Sequence, residues 1–442
     1  ERVTDIHDVR ARIVAELTGQ QAPGIPVSDE PFILAAIDLA PADTATLDPE
    51  KVIALITSDG GPQAHTAILA RGLGLPAIVA AKGVTEIADG TVVYVESNEG
   101  IVDTEPTDAD REAAIKYANR KPVADFDGQG VLADGTRVEL YANVGDGKSA
   151  EKAASLKAEG VGLLRTEFGF LGHDSEPSIE TQAKTYKSVF DAFPGKHIVV
   201  RTLDAGADKP LPFLNVNPEE NPALGVRGFR TDWTVPGVLT RQLEAIKAAS
   251  EDSDADIWVM APMISTTSEA RNFANMLKEI GLPVHGVMVE TPAAVMNAEA
   301  ILGEVDFVSI GTNDLTQYTM AADRLLGDLA HLNNPWQPAV LKMIKMTVEG
   351  AQRASVTAGK KKYVSVCGEA AADPALAVVL IGLGVDTLSM NAGAIPAVAA
   401  VLKSVTKEKA QQIAAIALQQ ISSAEAKESA RKALPILDEL GL

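Results

Sequence analysis

The sequence predicts an α/β protein in two parts: a small α/β domain and a larger closed (β/α)8 barrel, joined by a helical linker. Three observations predict it. From about residue 130 onward, apolar β-rich runs alternate with helical segments eight times over. Residues 32–105 alternate shorter β-rich runs with helical pieces. Between the two, 106–126, "PTDADREAAIKYANRKPVADF", is polar, charged and helix-prone, a composition with too few apolar positions for the inside of a domain. The 442 residues suit two or three domains at roughly 150 residues each. An apolar content of 46% with 22% charged residues is that of an ordinary globular chain with a sizeable core.

The elements follow in order. In "ERVTDIHDVRARIVAELT", Ile6, Val9, Ile13 and Leu17 recur at helical spacing and predict one amphipathic helix. That helix has no partner, and the chain begins with Glu1 rather than Met. Both predict an upstream domain that this sequence lacks. After the loop "GQQAPGIPVSDEP" come "FILAAIDL", "VIALITS", "PAIVAA", "TVVYVES" and "GIVDTE", the strands of the small domain. We place its bounds at 21–105, the linker at 106–129 and the barrel at 130–442. The barrel runs are "VELYANV", "VGLLRTEF", "HIVVRTLD", "DIWVMAPM", "VHGVMVET", "FVSIGTND", "YVSVCGEA" and "TLSMN". Continuous apolar runs, each followed by a helix, predict parallel strands buried on both faces. Eight such units in about 300 residues fit a closed barrel. The last stretch, 404–442, is Ala-rich and helical.

Charge and cysteine content exclude several functions. Lys and Arg number 39 against 60 acidic residues, a net charge of −21. Such a surface does not grip nucleic acid broadly, so any phosphate is held in a local basic pocket. The single cysteine, Cys367, excludes an internal disulfide framework and a cysteine zinc site, and fits a reducing cytoplasm. No apolar run reaches the roughly 18 residues of a membrane span, and no signal-like segment opens the chain.

Polar residues crowd the predicted strand ends. Arg165 and Glu167 end the second barrel strand, Arg201 and Asp204 the third, and Glu290 the fifth. Asn313 and Asp314 end the sixth, Cys367 and Glu369 the seventh, and Asn391 the eighth. Active sites of such barrels sit at the C-terminal strand ends. One charged residue at a strand end is usually solvated or ion-paired; a whole rim of them is not explained that way. The arginines offer forked donors to phosphate oxygens. Glu290 and Asp314 are hard oxygen donors suited to Mg²⁺. Arg324, ten residues past Asp314 and read as lying on the next helix, adds a third positive charge. Cys367 taken alone would be a small buried hydrophobe, but its strand-end place gives it equal claim to chemistry. His331 reads as structural, and His7, His173, His197 and His285 have no motif around them.

His65 is different. It follows Gly60 and Gly61 in "SDGGPQAHTAILARGLGLPAIVA" and opens an apolar helical pattern, with Thr66 in the first turn. A helix N-terminus offers free N–H groups and partial positive charge to an anion, and neutral imidazole is a nucleophile near pH 7. A phosphoryl group on the ring would meet backbone donors and Thr66. The competing reading is that His65 caps or packs.

"GGPQAHTAILARGLGLPAIV" resembles the phosphohistidine signature of the enzyme I family of the phosphoenolpyruvate-dependent sugar phosphotransferase system. "GVGLLRTEF", "RTLDAGADKPLPFLN", "ENPALGVRGFR", "VMVETPAAV", "SIGTNDLTQYTMAADR" and "SVCGEAAADP" match its barrel motifs in order. Pyruvate phosphate dikinase and phosphoenolpyruvate synthase share both domains, but "GADKPLPFL" and "NPALGVRGFR" favour enzyme I. The resemblance implies a swivelling phosphohistidine domain on a TIM-type barrel. It implies His65 as the phosphorylated residue and Arg165, Arg201 and Arg324 as the phosphoenolpyruvate arginines. Asn313 and Asp314 would be substrate contacts, Glu290 and Asp314 Mg²⁺ ligands, and Cys367 the proton donor to the enolate. Lys209, Arg227, Thr66 and Glu369 are secondary candidates. It also implies a homodimer through the barrel and the phosphocarrier HPr as partner. The helix of residues 1–20 would be the remnant of the HPr-docking domain. Where the family has Thr-Ser before the histidine, this chain has Gln63-Ala64. A module that only senses phosphoenolpyruvate would need neither His65 nor Cys367.

Overall fold

The computed structural model describes residues 24–26, 28–39, 47–48, 51–59, 75–97, 100–118, 123–205, 211–214 and 218–442. Arg10, Val14, Leu17, Thr18, Thr66 and Ala70 are described as isolated positions. His65, Gln63-Ala64, Lys209 and most of the predicted helix 1–18 lie outside the described residues. The chain divides into two compact units. One is Glu1–Arg120 with Asp323–Ala330; the other is Lys121–Ala322 with His331–Leu442.

In the first unit each predicted run contains a strand. β1 (Phe32–Ala36), β2 (Val52–Thr57) and β3 (Ala77–Ile78) form a parallel sheet in that order, and β4 (Tyr94–Glu96) pairs antiparallel with β5 (Ile101–Asp103). β2, "VIALIT", is a continuous apolar run because all but one of its residues are buried. Leu34, Val52, Leu55 and Ala70 pack on one another as its core. The helix Asp108–Ala118 buries none of its residues, which accounts for its charged, unpatterned composition.

The second unit is the barrel. β6 (Glu139–Val144), β7 (Gly160–Arg165), β8 (His197–Arg201), β9 (Asp256–Ala261), β10 (His285–Val289), β11 (Phe307–Ile310), β12 (Tyr363–Val366) and β13 (Thr387–Met390) pair in sequence order, and β13 closes on β6. All eight ladders are parallel. The strands are apolar throughout because helices cover their outer face and side chains fill the lumen. Leu163, Val199, Met260, Met288, Phe307 and Cys367 form the inner cluster. Helix starts are set locally. Asp146, Ser178, Thr266, Thr291, Asp373, Thr406 and Ser422 each accept a backbone N–H of the first turn, and each such cap is worth ~1 kcal/mol. The helix Pro374–Leu383 buries every residue from Ala375 to Ile381. Gly382 lets it approach the helix Lys407–Leu418, since a Cβ there would stand 2.1 Å from the Ala410 carbonyl oxygen.

Strand register builds the rim. Arg165 pairs with Arg201, Arg201 with Met260, Val289 with Ile310, and Ile310 with Val366. Arg165, Arg201, Val289, Ile310 and Val366 are each the last residue of a strand, and Glu290, Gly311 and Cys367 each follow one directly. Among the described residues no helix is long and apolar enough to cross a membrane.

Candidate active site

The barrel rim holds a buried lattice of charges. Arg201, 8% exposed, is ion-paired to Glu167 and lies 3.3 Å from Asp204 Oδ2. Arg227, 3% exposed, forks onto Asp204 through Nε at 3.1 Å and Nη2 at 2.7 Å, and reaches Asp314 Oδ1 through Nη1 at 2.8 Å. Tyr318, one turn after Asp314, receives a 3.3 Å bond from the same Nη1 and donates to the Ala223 carbonyl. Burial works against the charge of both arginines. The carboxylates nevertheless hold them above the ordinary arginine range: Glu167, Asp204 and Glu290 for Arg201, Asp204 and Asp314 for Arg227. Half-buried Arg165 has no hydrogen-bond or ion-pair partner among the described residues, so its fork is available to an anion.

Glu290 is fully buried. Its Oε1 accepts the Met263 N–H at 2.7 Å, while Oε2 has no partner among the described residues. Met263 adopts a left-handed φ of 59°, a strained state that points its N–H at the carboxylate. Burial pushes Glu290 up to about 8, and the Asp314 and Asp204 charges add to that, against the pull of Arg227 and Arg201. A Cβ at Gly311 would meet Glu290 Oε2 at 2.8 Å, so glycine there leaves this oxygen its space.

An orphaned, desolvated carboxylate oxygen beside a second carboxylate is what a hard cation relieves. Among the described residues no group of three or more His, Cys, Asp or Glu side chains is placed to hold a metal. Two carboxylates are nonetheless a donor set that Mg²⁺ accepts, since it completes its shell with substrate and water.

Cys367 directly follows β12 and is 2% exposed, its Sγ 3.7 Å from the Ile310 carbonyl oxygen. Asn143 fixes its backbone, donating to the Cys367 carbonyl at 2.9 Å. Burial pushes the thiol up, against the pull of the Ser309 hydroxyl and the Arg201 and Arg165 charges. Asn313 and Asp314 occupy the first turn of the helix Thr312–Met320, and Asn313 Oδ1 accepts the Glu369 N–H at 3.1 Å.

One expectation changes. Arg324 lies in a turn beyond Met320, not on a helix, within the segment grouped with the first unit. Thr66 is 1% exposed and its hydroxyl donates to Asp38 Oδ1 at 2.8 Å. Asn391 caps the turn that follows β13 by accepting the Gly393 N–H at 3.1 Å.

Residues 28–100 match the family "PEP-utilising enzyme, mobile domain", and residues 123–407 match "PEP-utilising enzyme, PEP-binding domain". The phosphoenolpyruvate-protein phosphotransferase of Streptomyces coelicolor is 48% identical over 437 residues, covering 98% of this chain and 78% of the relative. That of Haloferax volcanii is 39% identical, covering 97% and 77%. The multiphosphoryl transfer protein of Xanthomonas campestris is 40% identical, covering 95% and 51%.

The chain belongs to the phosphoenolpyruvate-protein phosphotransferase family. Sequence reasoning about this phosphotransferase missed the working partners of its rim. Asp204 and Glu167 were seen only as strand-end acids, although they engage the arginines. Tyr318 sits four residues after Asp314 on one helix face, a signal that could have found it. No spacing rule pointed to the Met263 N–H.

Proposed function

We propose that this chain takes the phosphoryl group of phosphoenolpyruvate onto His65 and passes it to the phosphocarrier HPr, the first step of sugar phosphotransferase transport. The observation that carries this reading is the rim itself. A guanidinium at Arg165 with no partner among the described residues, paired Arg201, desolvated Glu290 and Asp314, and a buried thiol at Cys367 all stand at or just past the C-terminal strand ends of one barrel.

In this reading Arg165, Arg201 and Arg324 hold the substrate's phosphate and carboxylate, and Asn313 contacts the substrate. Lys209 and Arg227 support them, as does Glu369. Glu290 and Asp314 would hold Mg²⁺, which when bound spreads negative charge on the phosphoryl and enolate oxygens. The His65 imidazole nitrogen attacks phosphorus in line as the bond to the enol oxygen breaks. The electron pair released to that oxygen becomes the pyruvate enolate. The Cys367 thiol gives its proton to the methylene carbon, leaving pyruvate and a thiolate that Arg201 and Arg165 stabilise. Burial keeps the thiol protonated at neutral pH, as an acid must be. The domain bearing His65 has to swing on the 106–129 linker to reach the rim and then HPr, a step of the kind that often limits turnover. We place the protein in the cytoplasm as a homodimer through the barrel.

Incubation with phosphoenolpyruvate labelled in phosphorus, with Mg²⁺, should leave acid-labile, base-stable label on the protein. His65→Ala should abolish it. Full labelling of that variant, or none of the wild type, refutes the proposal. Labelling from ATP in place of phosphoenolpyruvate would favour a dikinase instead.

A further inference from the structure

Arg227 spends its guanidinium on two carboxylates, one of them a proposed ligand of the cation, and on the Tyr318 hydroxyl. Nε and Nη2 hold Asp204 at 3.1 and 2.7 Å, and Nη1 and Nη2 hold Asp314 at 2.8 and 3.4 Å. Both oxygens of Asp314 are thus bonded to the same cationic group. Among the described residues the buried rim carries four carboxylates, Glu167, Asp204, Glu290 and Asp314, against the two guanidinium groups of Arg201 and Arg227. Without Arg227, Asp204 and Asp314 would lose the guanidinium that they share.

We infer that Arg227 is a resident counter-cation that competes with the divalent ion for Asp314. The inference rests on the reading of Glu290 and Asp314 as the cation's ligands. Like charges so close in a desolvated site repel strongly, so a divalent ion gains Asp314 only as Arg227 gives up part of its hold. Asp204 keeps the guanidinium from leaving altogether, and the rigid fork of arginine suits it to bridging two carboxylates at once. Arg227 thereby keeps the empty rim from collapsing or repelling itself, and lowers its affinity for a bare cation. It is a positioning residue for the cation site.

The test is Mn²⁺ binding without substrate, followed on the full chain by calorimetry and by the electron paramagnetic resonance signal of free Mn²⁺. Wild type should bind one ion, and Glu290→Gln should weaken it at least tenfold. Arg227→Gln should bind Mn²⁺ at least tenfold more tightly than wild type. Arg227→Lys, which keeps one positive charge without the fork, should fall between them, and it serves if the glutamine variant does not fold. If Glu290→Gln binds like wild type, the cation reading itself fails, and this inference with it. If Glu290→Gln loses the ion while Arg227→Gln and Arg227→Lys bind no more tightly than wild type, the competition is overturned and the cation site stands.

Discussion

Replacing Gln242 by leucine should loosen the backbone behind both rim arginines. Gln242 is 1% exposed on the helix Val238–Glu251. Its Oε1 accepts the Leu203 N–H at 2.8 Å, and its Nε2 donates to the Thr166 and Tyr186 hydroxyls, each at 3.1 Å. The Thr166 hydroxyl in turn donates to the Arg201 carbonyl at 3.0 Å. One amide therefore ties the residue after Arg165 to the second residue after Arg201. Leucine has a similar volume but no acceptor, so the Leu203 N–H is left buried and unpaired at a cost of about 1–3 kcal/mol. The two hydroxyls keep their other bonds, to Arg201 and to Gln182 Oε1 at 3.2 Å, so each loses only about 0.5–1.5 kcal/mol. The sum is roughly 2–6 kcal/mol. At roughly 2 °C per kcal/mol for a large domain, the midpoint should fall by about 4–12 °C. Calorimetry of the barrel transition measures this. Gln242→Glu, which keeps an acceptor for Leu203, should fall less. The KM for phosphoenolpyruvate should rise in Gln242→Leu, because Arg165 and Arg201 lose their common brace. A midpoint within 2 °C of wild type, together with an unchanged KM, would refute the reasoning.

Cys367→Ala should slow pyruvate formation by about 10²–10⁴-fold, the usual contribution of a placed general acid, with Mn²⁺ affinity unchanged; wild-type turnover in steady-state assays removes the thiol from that role. Gly382→Ala drives a methyl into the Ala410 carbonyl, 2.1 Å from the position of its Cβ. It should cost about 1–3 kcal/mol, read as an earlier urea midpoint. His285 is held below its ordinary 6.5 by burial, against the pull of Asp306, with Lys278 and Lys360 adding to the depression. Below 6.5 the unfolded chain binds a proton that the folded one refuses, so this histidine's contribution is present above 6.5 and lost as pH falls through the lower folded value. Urea titrations of wild type from pH 7.5 to 5.5 should lose stability more steeply than those of His285→Gln, and parallel slopes would contradict the assignment.

The barrel was legible in the sequence because its strands are doubly buried. Runs such as "VGLLR" and "HGVMV" have no polar face to maintain, so the first polar residue marks the strand's end directly. All eight strands run the same way, so their C-terminal ends share one mouth of the barrel, which is why Arg165, Arg201, Glu290 and Cys367 could be assembled by reading alone. Arg227 and Gln242 could not. Arg227 precedes the short helical turn Gly228–Trp233, while Gln242 projects from a helix whose charged residues are all at least partly exposed. The spacing of that helix is that of any amphipathic segment, and only the closed barrel brings both residues against the rim. Thr66 shows the converse. Its place in a helix's first turn fits an anion site, but a carboxylate 28 residues earlier, Asp38, takes its hydroxyl, a long-range pairing that no local pattern encodes.

The same buried charges that make the rim reactive add little to the fold. Ion pairs taken out of water recover their desolvation cost only with near-ideal geometry, and apolar replacements of similar shape are often as stable. Evenly satisfied pairs could be read as scaffolding. This rim is not evenly satisfied: Glu290 Oε2 and Glu167 Oε2 are buried without partners among the described residues, Met263 holds a strained φ of 59°, and Gly311 leaves room beside Glu290. Each feature costs stability and none improves packing. The barrel can carry them because its walls, from Val161 to Leu388, are almost wholly apolar and closed on themselves, so the rim can be built for a charged ligand rather than for its own stability. That division of labour, with an apolar wall below and unpaired charge above, is why losing a wall contact such as Gly382 should lower stability, whereas losing Arg227 should change what the rim binds.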